Sequence, residues 1–369
     1  MSNATDPVLD VLDCPVDQVP DGREFVEAAM RWHFDPQTGS PFWLKRAENL
    51  DFDPLTDVHT FADLRLFPNV VNEFRDVRVE DLVPKGYGSR PEVIGVFESG
   101  GTTGPPKLVV LLADWMDRLM HHHNRLMDEH GYPRVANWLS LGPSGPHIFG
   151  ELIRQQVRRR GGFRFSVDLD PRWVKKLISE NRLDEAGRYA EHLIDQSAYA
   201  LRTQDIGVLV TTPPLLVRLS RRDELVALIN EKVRVIVWAG AHLDPDTRAL
   251  LRDEVFPDVK IIGNYGSTMI MGSVSERTGL DDDDPCVFDP FSPYISFSVV
   301  DPETRREVPY GERGQVVMHH LSKNLLLPNN LERDTALRVQ PPPGQLGDAV
   351  ADVAPLAVFE DERVIEGVY

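Results

Sequence analysis

The sequence predicts an α/β fold, a mostly parallel sheet with flanking helices, plus a β-rich lobe. Three observations carry this. Strand-like runs at 162–167, 207–211, 233–238 and 259–262 alternate with helical patterns at 171–181, 184–202, 213–230 and 245–255. Such alternation is the pattern of parallel strands joined by crossover helices. From about residue 283 the texture changes, and ISFSVVDPETRREVPYGERGQVVMHH reads as two strands around a Pro/Gly-rich turn. Finally, 369 residues, 41% of them hydrophobic, bury a large core without disulfide or metal staples.

Taken in order, the chain up to about Glu80 mixes Pro and Asp turns with short amphipathic pieces, among them a helix over Phe25 to Trp32. PEVIGVFE, 91–98, reads as a strand that runs into the turn-rich SGGTTGPPK. Ala113 to His130 reads as a helix, because Trp115, Met116, Leu119, Met120, Leu126 and Met127 recur at helical spacing. QPPPGQ, 340–345, is a loop or linker. The expected division is an N-terminal segment over 1–90 packed on an α/β core over 91–282, a β-rich lobe over 283–340 and a short C-terminal segment over 341–369.

Charge and composition narrow the function. Lys plus Arg number 40 against 58 Asp plus Glu, a formal charge of −18. That balance argues against nonspecific binding to nucleic acid or an anionic membrane, since both need a positive face. Two cysteines, Cys14 and Cys286, make no disulfide framework and fit a reducing cytoplasm. No apolar run approaches the roughly 20 residues of a membrane span, and the polar, acidic first twenty residues do not read as a signal peptide.

The stretch Ser99-Gly100-Gly101-Thr102-Thr103-Gly104-Pro105-Pro106-Lys107 carries the most chemistry. Three glycines allow backbone N–H groups to approach a ligand, Ser99, Thr102 and Thr103 add hydroxyls, and Lys107 adds a point charge. Polyphosphate oxygens need this combination of many donors and some positive charge. The stretch is neither G-x-x-x-x-G-K-[ST] nor G-x-G-x-x-G, and by composition alone it also reads as a mobile surface turn.

SGGTTGPPK resembles the phosphate loop of the adenylate-forming superfamily: acyl-CoA synthetases, adenylation domains and luciferases. VRVIVWAGAHLDPDTRALLRDEVFPDVKIIGNYGST is similar to that superfamily's stretch from its Gly-Gly/Ala-Glu turn to its Tyr-Gly-Ser/Thr-Thr-Glu motif. Weaker matches are PSGPHIFG at 143–150, TTPPLLVRL at 211–219, YGERGQVV at 310–317 and LERDTALRV at 331–339, the last resembling the phenylacetate-CoA ligase branch. The resemblance spans about 90–340. It implies a large N-terminal adenylate-forming domain, with the mobile C-terminal domain absent or vestigial. It also implies ATP and Mg²⁺ as cofactors and a carboxylic acid activated as its acyl-adenylate. By resemblance, Lys107, Thr268 and His147 take catalytic positions, Thr268 at the α-phosphate and His147 beside the acid. Ser99, Gly100, Gly101, Thr102, Thr103 and Gly104 hold phosphates. Ala239, Gly240 and Ala241 line the adenine and acid pockets. Tyr265 stacks on adenine between Asn264 and Gly266, Asp334 takes the ribose hydroxyls, and Arg338 is a basic neighbour. Asp348 competes with Asp334 for the ribose.

Two departures stand out. Met269 occupies the place of the acidic residue that helps hold Mg²⁺, and a thioether is a poor ligand for a hard cation, which implies a weakened metal site. His242 stands where Glu is usual, and no protein metal ligand is assigned. The phenylacetate-ligase features imply an aromatic acid. Resemblance to phenazine-biosynthesis members suggests phenazine-1,6-dicarboxylate, activated for a partner reductase in making an antibiotic of the griseoluteic acid type. The rival expectations are a degenerate member that binds acid or nucleotide without turnover and, more weakly, an aryl-CoA synthetase.

Three further runs read as surface. Consecutive histidines on a helix point about 100° apart, so His121-His122-His123 cannot converge on one metal and reads as a solvated face. Arg158 to Arg160 and Asp281 to Asp284 read as solvated charge. No Gly-x-Ser-x-Gly elbow supports a serine hydrolase.

Overall fold

The computed structural model of the chain describes residues 10–99, 105–281 and 284–356, and the backbone of 358–359 and 362–363. Its first part is helical: α1 Gly22–Phe34, α2 Pro41–Ala47, α3 Pro54–Asp57 and α4 Val79–Leu82. Asp21 starts α1 by accepting from the backbone N–H groups of Arg23 and Glu24, both at 3.0 Å. Such a cap satisfies donors that the first turn leaves open. Phe25, Val26, Ala29 and Met30 of α1 are buried.

β1 Val93–Ser99 and β2 Lys107–Leu112 form an antiparallel hairpin, with Ser99 opposite Lys107. The strand expected at 91–98 is therefore present but outside the parallel sheet. The glycine- and threonine-rich residues 100–104 connect its two arms and lie outside the described residues.

The central sheet has six strands: β3 Asn137–Gly142, β4 Arg164–Asp168, β5 Ile206–Thr211, β6 Val235–Ala239, β7 Lys260–Ser267 and β8 Gly272–Ser275. Their order is β4-β3-β5-β6-β7-β8, parallel throughout except for the last pair. One face carries Trp138, Val208, Val210, Val235, Val237 and Ile262. These pack beneath α5 Ala113–Glu129 and α6 Ile148–Arg160, whose Met127, Ile153 and Val157 belong to the same apolar cluster. The other face carries Leu139, Leu209, Ile236 and Ile261, in the main core with Leu193, Ile194 and Leu201.

α7 Pro171–Ser179, α8 Leu183–Thr203, α9 Pro213–Leu219, α10 Asp223–Lys232 and α11 Pro245–Leu250 complete the helices. The helix expected over 213–230 is two, because α9 ends at Ser220 and a new first turn opens with Asp223 and Glu224. Arg222, extended at the break, ties it to α8 through Glu191 and Asp195 at 2.5 and 2.6 Å. The pattern over 245–255 is helical only to Leu250 and continues as a wider π turn over Leu251–Val255.

The β-rich lobe is one antiparallel sheet, ordered β10-β11-β12-β13-β9, of β9 Val287–Phe288, β10 Ile295–Val300, β11 Arg313–Leu321, β12 Leu326–Val339 and β13 Ala349–Pro355. β10 and β11 are the two expected strands, paired with Ile295 opposite His320. QPPPGQ lies in the connection between β12 and β13. The N-terminal helices dock here: the indole N–H groups of Trp32 and Trp43 donate to the carbonyls of Lys323 and Leu326, both at 2.9 Å. Asn324 clamps the β1–β2 hairpin to the lobe by accepting from the Leu112 N–H and donating to the Val110 carbonyl. Among the described residues no helix is long and apolar enough to cross a membrane.

Candidate active site

Open α/β sheets bind ligands beyond the carboxyl ends of their strands. Here a cavity of about 820 Å³ opens at the carboxyl ends of β6 and β7 and runs down between the sheet and the α5–α6 pair. Its mouth is polar. Ser99 and Lys107 reach it from the two arms of the hairpin, and His147 from the start of α6. Ala239, Gly240 and Ala241 line it from the turn after β6, and Asn264 to Met269 from the end of β7. Asp334 and Glu332 line it from β12. Two backbone features shape these turns. Gly240 has φ +81°, a left-handed value costly for other residues. A Cβ on Gly266 would stand 2.2 Å from the Gly272 carbonyl oxygen, so glycine lets β8 close on β7.

Tyr265 projects against Phe288 and Phe297, with ring centroids 5.5 and 5.8 Å away. Its hydroxyl donates to Asp334 Oδ2 at 3.1 Å, which ties the end of β7 to β12. Burial, reinforced by the Asp334 carboxylate, holds this phenol protonated far above its usual range. The carboxylate therefore remains the acceptor.

His147 is half-buried, and desolvation, with a smaller push from Arg172, lowers its pKa from the ordinary value. Arg172 pairs with Glu98 at 2.9 Å, and Asp168 accepts from the Ser144 hydroxyl at 2.6 Å and its N–H at 3.0 Å. These contacts fix the root of the hairpin and the loop that carries His147. His242 lines the mouth, with Nδ1 2.7 Å from the Val353 carbonyl. Deeper on that side, Glu276 accepts from Arg248 at 3.0 and 3.1 Å, from the Gly263 N–H at 3.0 Å and from the Cys286 thiol at 2.7 Å. Burial beside that carboxylate keeps the thiol protonated.

The inner chamber is walled by Met127, Tyr132, Trp138, Leu152, Ile153 and Val237. Two polar residues interrupt it, His123 of α5 and Gln156 of α6. His123 Nε2 lies 2.7 Å from the Ser273 carbonyl, and Gln156 Nε2 lies 3.0 Å from His123 Nδ1.

The structure thus brings Ser99, Lys107, His147, Gly240, Ala241, Asn264, Tyr265, Gly266, Thr268 and Asp334 to one cavity. Gly100, Gly101, Thr102, Thr103 and Gly104 lie outside the described residues. Arg338 stands elsewhere: its guanidinium binds Asp348 and Glu307 at 2.8 and 2.7 Å and covers the Tyr310 ring. Asp348, buried against β10, is held by that arginine and does not line the cavity.

The solvated-face expectation for the three histidines holds for His121 alone. His122 is buried and stacks on Phe291 at 4.0 Å, and His123 enters the chamber. Among the described residues no group of His, Cys, Asp or Glu is arranged to hold a metal ion. Of the arginine run, Arg158 and Arg159 are exposed, whereas Arg160 is buried and pairs with Asp128 at 2.9 Å. Sequence reading also passes over β3, α6, Trp138 and Gln156. The only signal for Gln156 is its helical spacing from Leu152 and Ile153, which places it on the buried face of α6.

No protein-family model matches this sequence, and no curated protein sequence matches it. Solved structures do. A 2-hydroxyisobutyryl-CoA ligase in complex with 2-HIB-AMP and CoA superposes with a TM-score of 0.63 at 16% identity, over 90% of this chain and 66% of that one. An open conformation of that ligase gives 0.62 at 15% identity, over 95% and 83%. ATP-bound MatB from Rhodopseudomonas palustris gives 0.50 at 18% identity, over 71% and 48%. The chain spans about two-thirds of the first of these and about half of MatB. It has the fold of the adenylate-forming ligases.

Proposed function

We propose that the chain binds ATP at the mouth of the cavity and a carboxylic acid in its chamber, and joins them as an acyl-adenylate. The observation that carries this reading is the continuity of the cavity. Residues suited to phosphate, purine and ribose surround one end, and a largely apolar chamber continues from it within the same cavity of about 820 Å³. The fold supports it as well.

In the proposed reaction a carboxylate oxygen attacks the α-phosphorus, the bond to the bridging oxygen breaks, and pyrophosphate leaves. Lys107 and the hairpin loop neutralise the departing phosphates, and Thr268 donates to the α-phosphate as charge develops there. Asp334, positioned by Tyr265, accepts from ribose hydroxyls, and His147 borders the acid carboxylate. Met269 is 3% exposed, and its thioether gives the position assigned to a metal-holding carboxylate no side-chain oxygen. Mg²⁺ would be held through phosphate oxygens and water, with weaker protein attachment.

The resemblance to the phenylacetate-ligase branch points to an aromatic acid, with phenazine-1,6-dicarboxylate as the first compound to try. An acyl-adenylate, unlike a free carboxylate, has a good leaving group for hydride attack, which fits delivery to a reductase. Met269 favours a second reading, in which acid or nucleotide binds without turnover.

The test is acid-dependent exchange of labelled pyrophosphate into ATP with a panel of aromatic acids. Exchange that falls about a hundredfold or more in Lys107→Ala, a loss typical of removing a charge-stabilising donor, establishes the reaction. Acid binding by calorimetry with no exchange for any acid would overturn it in favour of the second reading.

A further inference from the structure

The chamber contains a hydrogen-bond relay whose free end faces the cavity. The Ser273 carbonyl can only accept, so His123 Nε2, 2.7 Å away, carries the proton. Burial pushes the His123 pKa down to about 4, so the ring is neutral near pH 7 and Nδ1 is an acceptor. The Gln156 group 3.0 Å from Nδ1 must therefore be its NH₂. Gln156 is 9% exposed, and its Oε1 is left as an acceptor opening on the chamber.

We infer that Gln156 Oε1 is a specificity-determining acceptor, and that the acid bound in this chamber carries an N–H or O–H donor on the part remote from its reacting carboxylate. The inference rests on the acid-binding reading above and names the substrate class within it. A hydroxy- or amino-substituted aromatic acid qualifies, as does a diacid whose second carboxyl group is protonated. The relay leaves the oxygen no rotation by which to become a donor: turning the amide would bring a carbonyl oxygen against the His123 lone pair. An acid without a donor leaves Oε1 desolvated and unpaired, and sites built around such a group reject analogues that lack its partner.

The test compares acids of matched size by calorimetry on the full chain without ATP: meta- and para-hydroxybenzoate and aminobenzoate against the corresponding fluorobenzoates. At least one donor-bearing acid should bind about tenfold more tightly than its fluoro analogue, the upper range for a neutral hydrogen bond. In Gln156→Leu that ratio should fall to about one, with the fluoro analogue within about threefold of its original affinity. Gln156→Asn, which keeps the amide but withdraws the oxygen, should also lose the preference. A wild-type protein with no preference, or one whose preference survives in both variants, would overturn the inference. The wild-type comparison decides even if a variant fails to fold. Selective binding with no pyrophosphate exchange would sink the adenylation reading and keep this one. Exchange with equal use of both acids would do the reverse, and no acid binding at all would remove both.

Discussion

The mouth of the cavity and its inner chamber are built by different parts of the molecule. The mouth is lined from strand ends, and each piece is short: Ser99 and Lys107 from the two arms of the hairpin, Ala239 to Ala241, and Asn264 to Met269. Ser99, Asn264, Ser267 and Thr268 give it small polar side chains. The chamber is made of side chains from α5 and the loop after it, α6, β3 and β6, which meet only because the helices pack across the sheet. In the proposed reaction every acid presents the same phosphates and purine, whereas the acid itself varies, so this division would let one end stay fixed while the other changes one buried side chain at a time.

The largest expected effect breaks the chamber and the β-lobe together and leaves the mouth as bystander. Burial lowers the pKa of His33, His123 and His319 to about 4 and of His320 to about 3, while His147 at the mouth is only half-buried. Each of the four is neutral when folded and takes a proton when unfolded below about pH 6.5. Their stabilising contribution is complete above that value and is lost as pH falls toward 4. Four groups at about 1.4 kcal/mol per pH unit give a slope of roughly 5 kcal/mol per unit, comparable to the whole stability of many domains. Urea unfolding at pH 7.5 and 5.5 should show a large fall in midpoint. An unchanged midpoint would mean that these rings are not sealed.

The same contrast explains what was legible in the sequence. Helix α5 was readable to within a residue, because a run of Trp115, Leu119, Met120 and Met127 has only one buried arrangement. Yet its two buried histidines read as solvated, since His122 and His123 gain their surroundings from Phe291 and Gln156, far away in sequence. The mouth was visible as motifs because its lining comes in short consecutive runs, Ala239 to Ala241 and Asn264 to Met269. Arg338 was placed near Asp334 by proximity along β12, but its guanidinium is taken by Asp348 and Glu307, partners that the local sequence does not show. Strand β3 escaped notice because Asn137 at its start and Ser140 in its middle interrupt an apolar run that is buried from Trp138 to Gly142. The break between α9 and α10 is accompanied by ion pairs from Arg222 to α8 that lie about thirty residues away in sequence.

A second prediction tests whether the chamber alone sets acid selectivity. Ile153 is 4% exposed and lines the chamber beside Gln156. Ile153→Trp should place a ring in that space, raise KM for bulky aromatic acids about tenfold or more, and leave KM for ATP unchanged. The stability cost should stay at or below the roughly 1–3 kcal/mol of an overpacked core, because the void accommodates part of the ring. Parallel changes in both KM values would mean that the two ends are not separable.

The smallest effect probes the mouth from the other direction. Tyr265→Phe keeps the ring against Phe288 and Phe297 and removes only the hydroxyl that donates to Asp334 at 3.1 Å. A bond to a charged acceptor contributes about 1.5–3 kcal/mol, but here ribose hydroxyls take over part of that role when nucleotide binds. The net loss is therefore the orientation of Asp334 rather than its solvation. KM for ATP should rise about threefold, with kcat, KM for the acid and the melting temperature little changed. A larger effect on the acid than on ATP would place Asp334 on the wrong substrate, and with it the boundary between mouth and chamber. An ATP constant that does not move would mean that the Tyr265 hydroxyl only joins β7 to β12. The fixed end of the cavity would then rest on backbone turns at Gly240 and Gly266 and on Lys107, not on this pair.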